Sequence, residues 1–190
     1  EALNNGTHLL DVARWALNVT FPTKVRSFGG RWHDVGLDDW ETPDTQEIQL
    51  EFGPGRGISW FGRSCSTYGA PGYKANGIVF FGNKGTIDYD GGGTYTVYDL
   101  DNKAIKRVGE DPKRKTDLGN TTDPGLNDRH AENFIEAIRG NAKLTAPIEE
   151  GHCSTVLGQL GNIAQRTGHE LRTDPKNGHI LGDRKAARLW

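Results

Sequence analysis

The chain has 190 residues, of which 34% are hydrophobic and 25% charged, with 26 glycines and a formal net charge of -2. That length allows one domain with a true core, because chains of this size bury roughly 70% of their unfolded surface. The near-neutral charge removes the electrostatic case for nucleic acid or an anionic membrane as partner, and no apolar run is long enough to span a bilayer.

The many glycines suit a turn-rich sheet with one wet face better than a helical bundle. Cys65 and Cys153 are too few to fix a redox compartment. Methionine is absent even at position 1, so the chain is expected to be a piece of something longer. No secretory signal is visible, and the expected compartment is the cytoplasm.

In chain order, Asn4 to Leu17 reads as a loop that becomes a helix, with Thr7 or Asn5 as the capping side chain. Leu9, Leu10, Val12, Ala13, Ala16 and Leu17 form its apolar stripe, while His8, Asp11 and Trp15 share a second face. Trp15 is expected to pack in the core and Arg14 to pair at the surface.

Phe21-Pro22 ends the helical pattern, and Lys24–Trp32 reads as a strand with Val25 and Phe28 as core residues. Residues 33–43 are acidic loop. Gln46 to Phe52 alternates polar and apolar, the mark of a half-buried strand, and Ile58–Ser64 is its hairpin partner across the turn Gly53–Gly57. Tyr68–Asn76 reads as loop. Strands are expected over Gly77–Phe81, Thr86–Tyr89, Tyr95–Tyr98 and Ala104–Val108. Glu110–Gly125, with its basic cluster Lys113-Arg114-Lys115, reads as a solvated loop.

Two further helices follow. One carries Ala131, Phe134, Ile135 and Ile138 and closes at Gly140; the other carries Val156, Leu157, Leu160, Ile163 and Ala164 and ends near Gly168. A short helix is expected within Gly178–Trp190. A helix, then a run of strands, then more helices is an α+β arrangement: a large open, mostly antiparallel sheet with helices on one face.

Chemistry is narrowed by elimination. The glycine-rich stretches at Gly53–Gly57, Gly82–Gly85 and Gly91–Gly93 each lead into a strand, whereas a phosphate loop needs a helix N-terminus behind it. The six histidines show no metal-ligand spacing, and no nucleophile elbow is present. His8 remains, either as a packing or capping residue or as a proton-transfer group. The positive end of a helix dipole favours neutral over charged imidazole in a first turn. Polar companions could converge from Asn4, Arg63 and His152.

The run Asn5-Gly6-Thr7-His8 with Asp11, Arg14 and Trp15 resembles the start of the C-terminal domain of the Gfo/Idh/MocA oxidoreductases. Supporting matches are Thr42-Pro43-Asp44-Thr45-Gln46, Gly82-Asn83-Lys84-Gly85-Thr86, His130–Arg139, Glu150-Gly151-His152 with Asn162-Ile163-Ala164, and Gly182-Asp183. The resemblance implies a glyceraldehyde-3-phosphate dehydrogenase-like C-terminal domain. Residues 1–190 would form one substrate-binding and oligomerisation domain, preceded by a Rossmann domain absent from this chain.

That absent domain would hold NAD or NADP. The substrate would be a sugar, polyol or related compound, and the open sheet face would pack against another copy. His8 matches the family's catalytic histidine, the residue that accepts the hydroxyl proton; Asn4, Asp11, Arg63 and His152 are the candidate substrate contacts. Asn4 stands where the family has aspartate, and an amide cannot trade a proton at neutral pH. The resemblance therefore also admits relatives that oxidise transiently, eliminate a substituent and reduce again, and a module that only binds or assembles.

Overall fold

The computed structural model describes residues 2–33, 35–66, 76–91, 93–109 and 125–190. The loops expected at Tyr68–Asn76 and Glu110–Gly125 fall almost wholly outside the described residues. The fold is α+β, and among the described residues the pairing is antiparallel throughout and the strands divide between two sheets. Residues 1–67 with 148–190 form one compact unit, and residues 68–147 form another.

In the first unit, α1 (Asn5–Leu17) leads to β1 (Lys24–Gly30), β2 (Thr45–Glu51) and β3 (Gly57–Arg63). Then α3 (Ile148–Thr167) is followed by β8 (Leu171–Thr173), β9 (Ile180–Leu181) and α4 (Arg184–Ala187). The strand order is β3-β2-β1-β8-β9. Pairing of Val25 with Leu50, Ile48 with Trp60, and Leu50 with Ile58 puts one set of apolar side chains on a single face. Helices α1 and α3 cover that face, and Val25, Ile48, Leu50, Trp60, Leu157, Leu160 and Leu171 share the core. Gln46 is the polar member of this face. Its amide donates to Ser27 Oγ and Asn162 Oδ1, both at 3.2 Å, tying β2 to β1 and α3.

The alternation that buries Ile48 turns Phe28 outward. Phe28 pairs with Glu47, which pairs with Phe61, and this row lies on the uncovered face. Phe28 is therefore no core residue: it is 66% exposed, with Trp32 5.5 Å away in a tilted ring contact. Helix α1 ends before Phe21, at Asn18, which takes a left-handed φ of 50°. Asn4 is its N-cap residue without a side-chain capping bond, and Thr7 Oγ1 donates back to the carbonyls of Ala2 and Leu3.

The second unit carries the meander β4 (Ile78–Gly82), β5 (Gly85–Tyr89), β6 (Tyr95–Tyr98) and β7 (Ala104–Val108), paired in that order. It also carries α2 (Gly125–Ile138). Gly140, in left-handed conformation, follows the helix. The stripe expected on α2 forms at helical spacing, and Phe134, Ile135 and Ile138 are exposed among the described residues.

Strands β8 and β9, too short to show periodicity, are closed by an ion pair that sequence patterning does not reveal. His169 Nε2 lies 2.7 Å from Asp183 Oδ2, and its Nδ1 lies 3.0 Å from the carbonyl of Thr167. Both partners accept, so both ring nitrogens donate and the imidazolium is the form that fits. The hydrogen bond to Asp183, then that to Thr167, hold His169 above its ordinary 6.5. Asp183 also caps α4, accepting from the amides of Lys185 and Ala186, and the Ala186 amide followed by His169 holds its carboxyl below 3.8.

A raised histidine contributes stability below its unfolded value and loses it as pH climbs through the folded value. A depressed aspartate loses its contribution as pH falls through its own folded value. The clasp is thus strongest between these limits. An NMR titration should place the His169 midpoint above 6.5 and Asp183→Asn should bring it back down; an unmoved midpoint would remove the ion pair.

Candidate functional site

Helix α1 is seated by small residues. The backbone at Gly6 lies on the Trp60 indole, where an added Cβ would come within 3.0 Å of the ring. A Cβ added to Gly158 of α3 would likewise come within 3.0 Å of Ala2 O. At the other end, Asp11 and Arg14 meet Ser154 and Glu150. Since Ala2 and Leu3 oppose Gly158 while Arg14 opposes Glu150, α1 and α3 run antiparallel.

This seating turns Gly6, Leu10, Ala13 and Arg14 inward and leaves Asn4, His8, Asp11 and Trp15 exposed. The structure thus brings His8 and Asp11 together on one exposed face of α1, with Asn4 exposed at its N-cap. Trp15 shares that face at 75% exposure, so its expected core role is corrected: position 15 lies opposite the buried stripe. His8 makes no hydrogen bond or ion pair among the described residues.

Arg63 and His152 lie elsewhere. Arg63 pairs with Thr45 at the end of β3 and points to the uncovered sheet face, where its guanidinium is 4.0 Å from Glu47. Helix α1 lies on the opposite face. His152 is two residues from both Glu150 and Ser154, about 200° of helical turn, so it faces away from the α1 contact. Its ring meets Phe21 edge-on at 6.0 Å. Next to it, burial pushes the Cys153 thiol up, with Glu150 adding to the rise and Arg14 opposing it, so the thiol form prevails at neutral pH.

Behind α1 lies a buried charge. Arg14 is 5% exposed, not at the surface. Its Nε donates to Ser154 Oγ at 2.9 Å, its Nη1 to Val19 O at 3.2 Å, and its Nη2 to Glu150 Oε2 at 2.5 Å. Ser154 in turn donates to Asp11 Oδ1. The available signal was the position of Arg14, four residues after Leu10 on the apolar stripe. A charge there is tolerated only with buried partners.

On the loop preceding β2, Asp44 accepts from the amides of Trp32 and His33. Burial raises its carboxyl, but the His33, Thr45 and Trp32 hydrogen bonds together outweigh that and hold it below the ordinary value. Among the described residues no group of histidines, cysteines and carboxylates could hold a metal ion.

No protein-family model and no curated protein matches the chain. Solved structures do. An oxidoreductase from Agrobacterium radiobacter, in complex with NAD+, L-tartaric acid and magnesium, is similar over 90% of this chain and 48% of its own, with TM-score 0.62 and 15% identity. WlbA dehydrogenase from Bordetella pertussis, in complex with NADH and UDP-GlcNAcA, is similar over 90% of this chain and 44% of its own, with TM-score 0.58 and 16% identity.

A Klebsiella pneumoniae protein assigned as an oxidoreductase covers 99% of this chain and 52% of its own, with TM-score 0.64 and 13% identity. The chain therefore spans about half the length of these structures. At such identities the likeness establishes the fold, the α+β fold of dehydrogenase C-terminal domains.

Proposed function

We propose that this chain is the substrate-side and assembly domain of an NAD(P)-dependent oxidoreductase of the Gfo/Idh/MocA type, acting on a sugar, polyol or related compound. The observation that carries the reading is the exposed face of α1, where His8 and Asp11 stand together with Asn4 on a helix whose opposite side is locked to β3 and α3.

Among the described residues, the glycine-rich loops do not suit a dinucleotide. Gly53–Gly57, Gly82–Gly85 and Gly93 lead into β3, β5 and β6, so none presents a helix N-terminus to a pyrophosphate. The cofactor is therefore assigned to a preceding Rossmann domain, and when bound it supplies the hydride acceptor. His8 takes the proton of the substrate hydroxyl as the alcohol is oxidised and returns it in the reverse direction. To Asp11, one turn on along the same face, falls the role of orienting His8. Asn4 hydrogen-bonds the substrate without ionising.

The amide at Asn4 favours a second reading within the same class: transient oxidation, elimination of a substituent and re-reduction, a lyase or glycosidase outcome. The uncovered face, with Phe28, Trp32 and Phe61 exposed, supports a homo-oligomer through the sheet. One experiment addresses both parts. The isolated domain should sediment as a dimer or larger without turning over, and the full-length protein should reduce a nicotinamide with a sugar or polyol. Turnover by the isolated domain, or a strict monomer at high concentration, would remove the corresponding part.

A further inference from the structure

We propose that Arg14 is a positioning residue: buried between α1 and α3, it joins Ser154, Glu150 and Asp11 into a clamp that fixes the helical turn carrying His8. This inference rests on His8 being the proton-transfer group.

A guanidinium cannot deprotonate, and a buried one needs acceptors for its five N–H groups. Here the acceptors come from two separate parts of the chain. Glu150 and Ser154 belong to α3, and the carbonyl of Val19 belongs to the chain just beyond α1. Asp11 Oδ1 is 3.6 Å from the same Nη2. Arg14 therefore spans the helix, its exit and its neighbour.

Ser154, 2% exposed, is the connecting group. Its oxygen accepts from Arg14 Nε, and its single proton serves Asp11, with Glu150 O 3.1 Å away as the alternative acceptor. One oxygen of Asp11 is thereby held from the α3 side, although the side chain is 54% exposed. His8 lies three residues before Asp11, a spacing that puts Cβ atoms about 5–6 Å apart.

The helix needs such a clamp. Asn4 makes no side-chain capping bond, and Gly6 and Gly158 let the chain pack closely at that end. Arg14 supplies side-chain hydrogen bonds that tie α1 to α3, and these oppose rotation of α1 about its axis. At a side-chain radius of roughly 5–6 Å, a turn of about 10° carries a catalytic group by about 1 Å. Misplacement on that scale costs up to about 10²-fold in rate.

The test uses the full-length protein with its nicotinamide. Ser154→Ala keeps the Arg14–Glu150 ion pair and removes the bridge to Asp11. It should lower kcat about 10- to 10²-fold with the KM for nicotinamide unchanged, and Asp11→Asn added to it should cost little more. Arg14→Lys, which keeps the charge but loses the Nε donor, should reproduce the loss, and Ser154→Cys covers the case in which Ser154→Ala folds poorly. Ser154→Ala within twofold of the parent, beside a crippled His8→Ala, overturns the clamp and leaves the assignment of His8 standing. If His8→Ala is itself fully active, the assignment and the clamp fall together.

Discussion

His8→Ala in the full-length protein lowers kcat by about 10²–10⁴-fold, the range expected for loss of a positioned general base, and leaves nicotinamide binding intact. The separation follows from geometry. His8 is exposed on the outer face of α1 and makes no bond among the described residues, so its removal takes away a proton acceptor without opening the core. Thermal stability should be unchanged, because surface substitutions without a capping or pairing role stay within about 0.5 kcal/mol. A rate equal to that of the parent would exclude His8 from the reaction.

The second large effect lies where α3 crosses the sheet. Ile48 is fully buried on β2, and a Cβ built on Gly161 would lie 2.7 Å from its Cγ1 and 3.0 Å from its Cγ2. The glycine is the hole and the isoleucine the knob that fills it. Ile48→Ala should cost about 2–5 kcal/mol, through lost burial and the cavity left behind. Gly161→Ala should cost about 1–3 kcal/mol by overpacking, since a β-branched side chain in a closed core has nowhere to turn. Made together, the two should cost clearly less than their sum, because the added methyl occupies space that the isoleucine vacates. Denaturant unfolding of the four variants measures this, and strict additivity would contradict the packing described.

Periodicity made much of this fold legible. The alternation from Gln46 to Phe52 gave β2 within a residue at each end, and the stripe Val156–Ala164 gave the core face of α3. What periodicity cannot carry is the side of a strand that is covered. Phe28 has the composition of a core residue, and only the register opposite Glu47 and Phe61 shows that it faces outward. Trp15 is equally apolar, and only its place on the helix, opposite the buried stripe, shows that it faces outward.

Division of the strands into two sheets depends on long-range pairing, and β8 and β9 are three and two residues long, below any recognisable pattern. For the candidate site, helical spacing alone brought His8 and Asp11 to one face, because both lie on one element. Arg63 and His152 sit on other elements, and which face each of those turns to α1 is set by packing. Arg14 has the composition of a surface charge, and the α3 partners that let it be buried are 136 and 140 residues away.

The most direct measurement follows hydrogen from carbon to cofactor. In the full-length protein, a sugar or polyol bearing deuterium on its carbinol carbon should pass the label to the nicotinamide. His8→Ala should slow that transfer by about the same 10²–10⁴-fold as turnover. Product formed with the label never leaving carbon, or label transfer indifferent to His8, would contradict the assignment of this domain to nicotinamide-dependent hydride chemistry through α1.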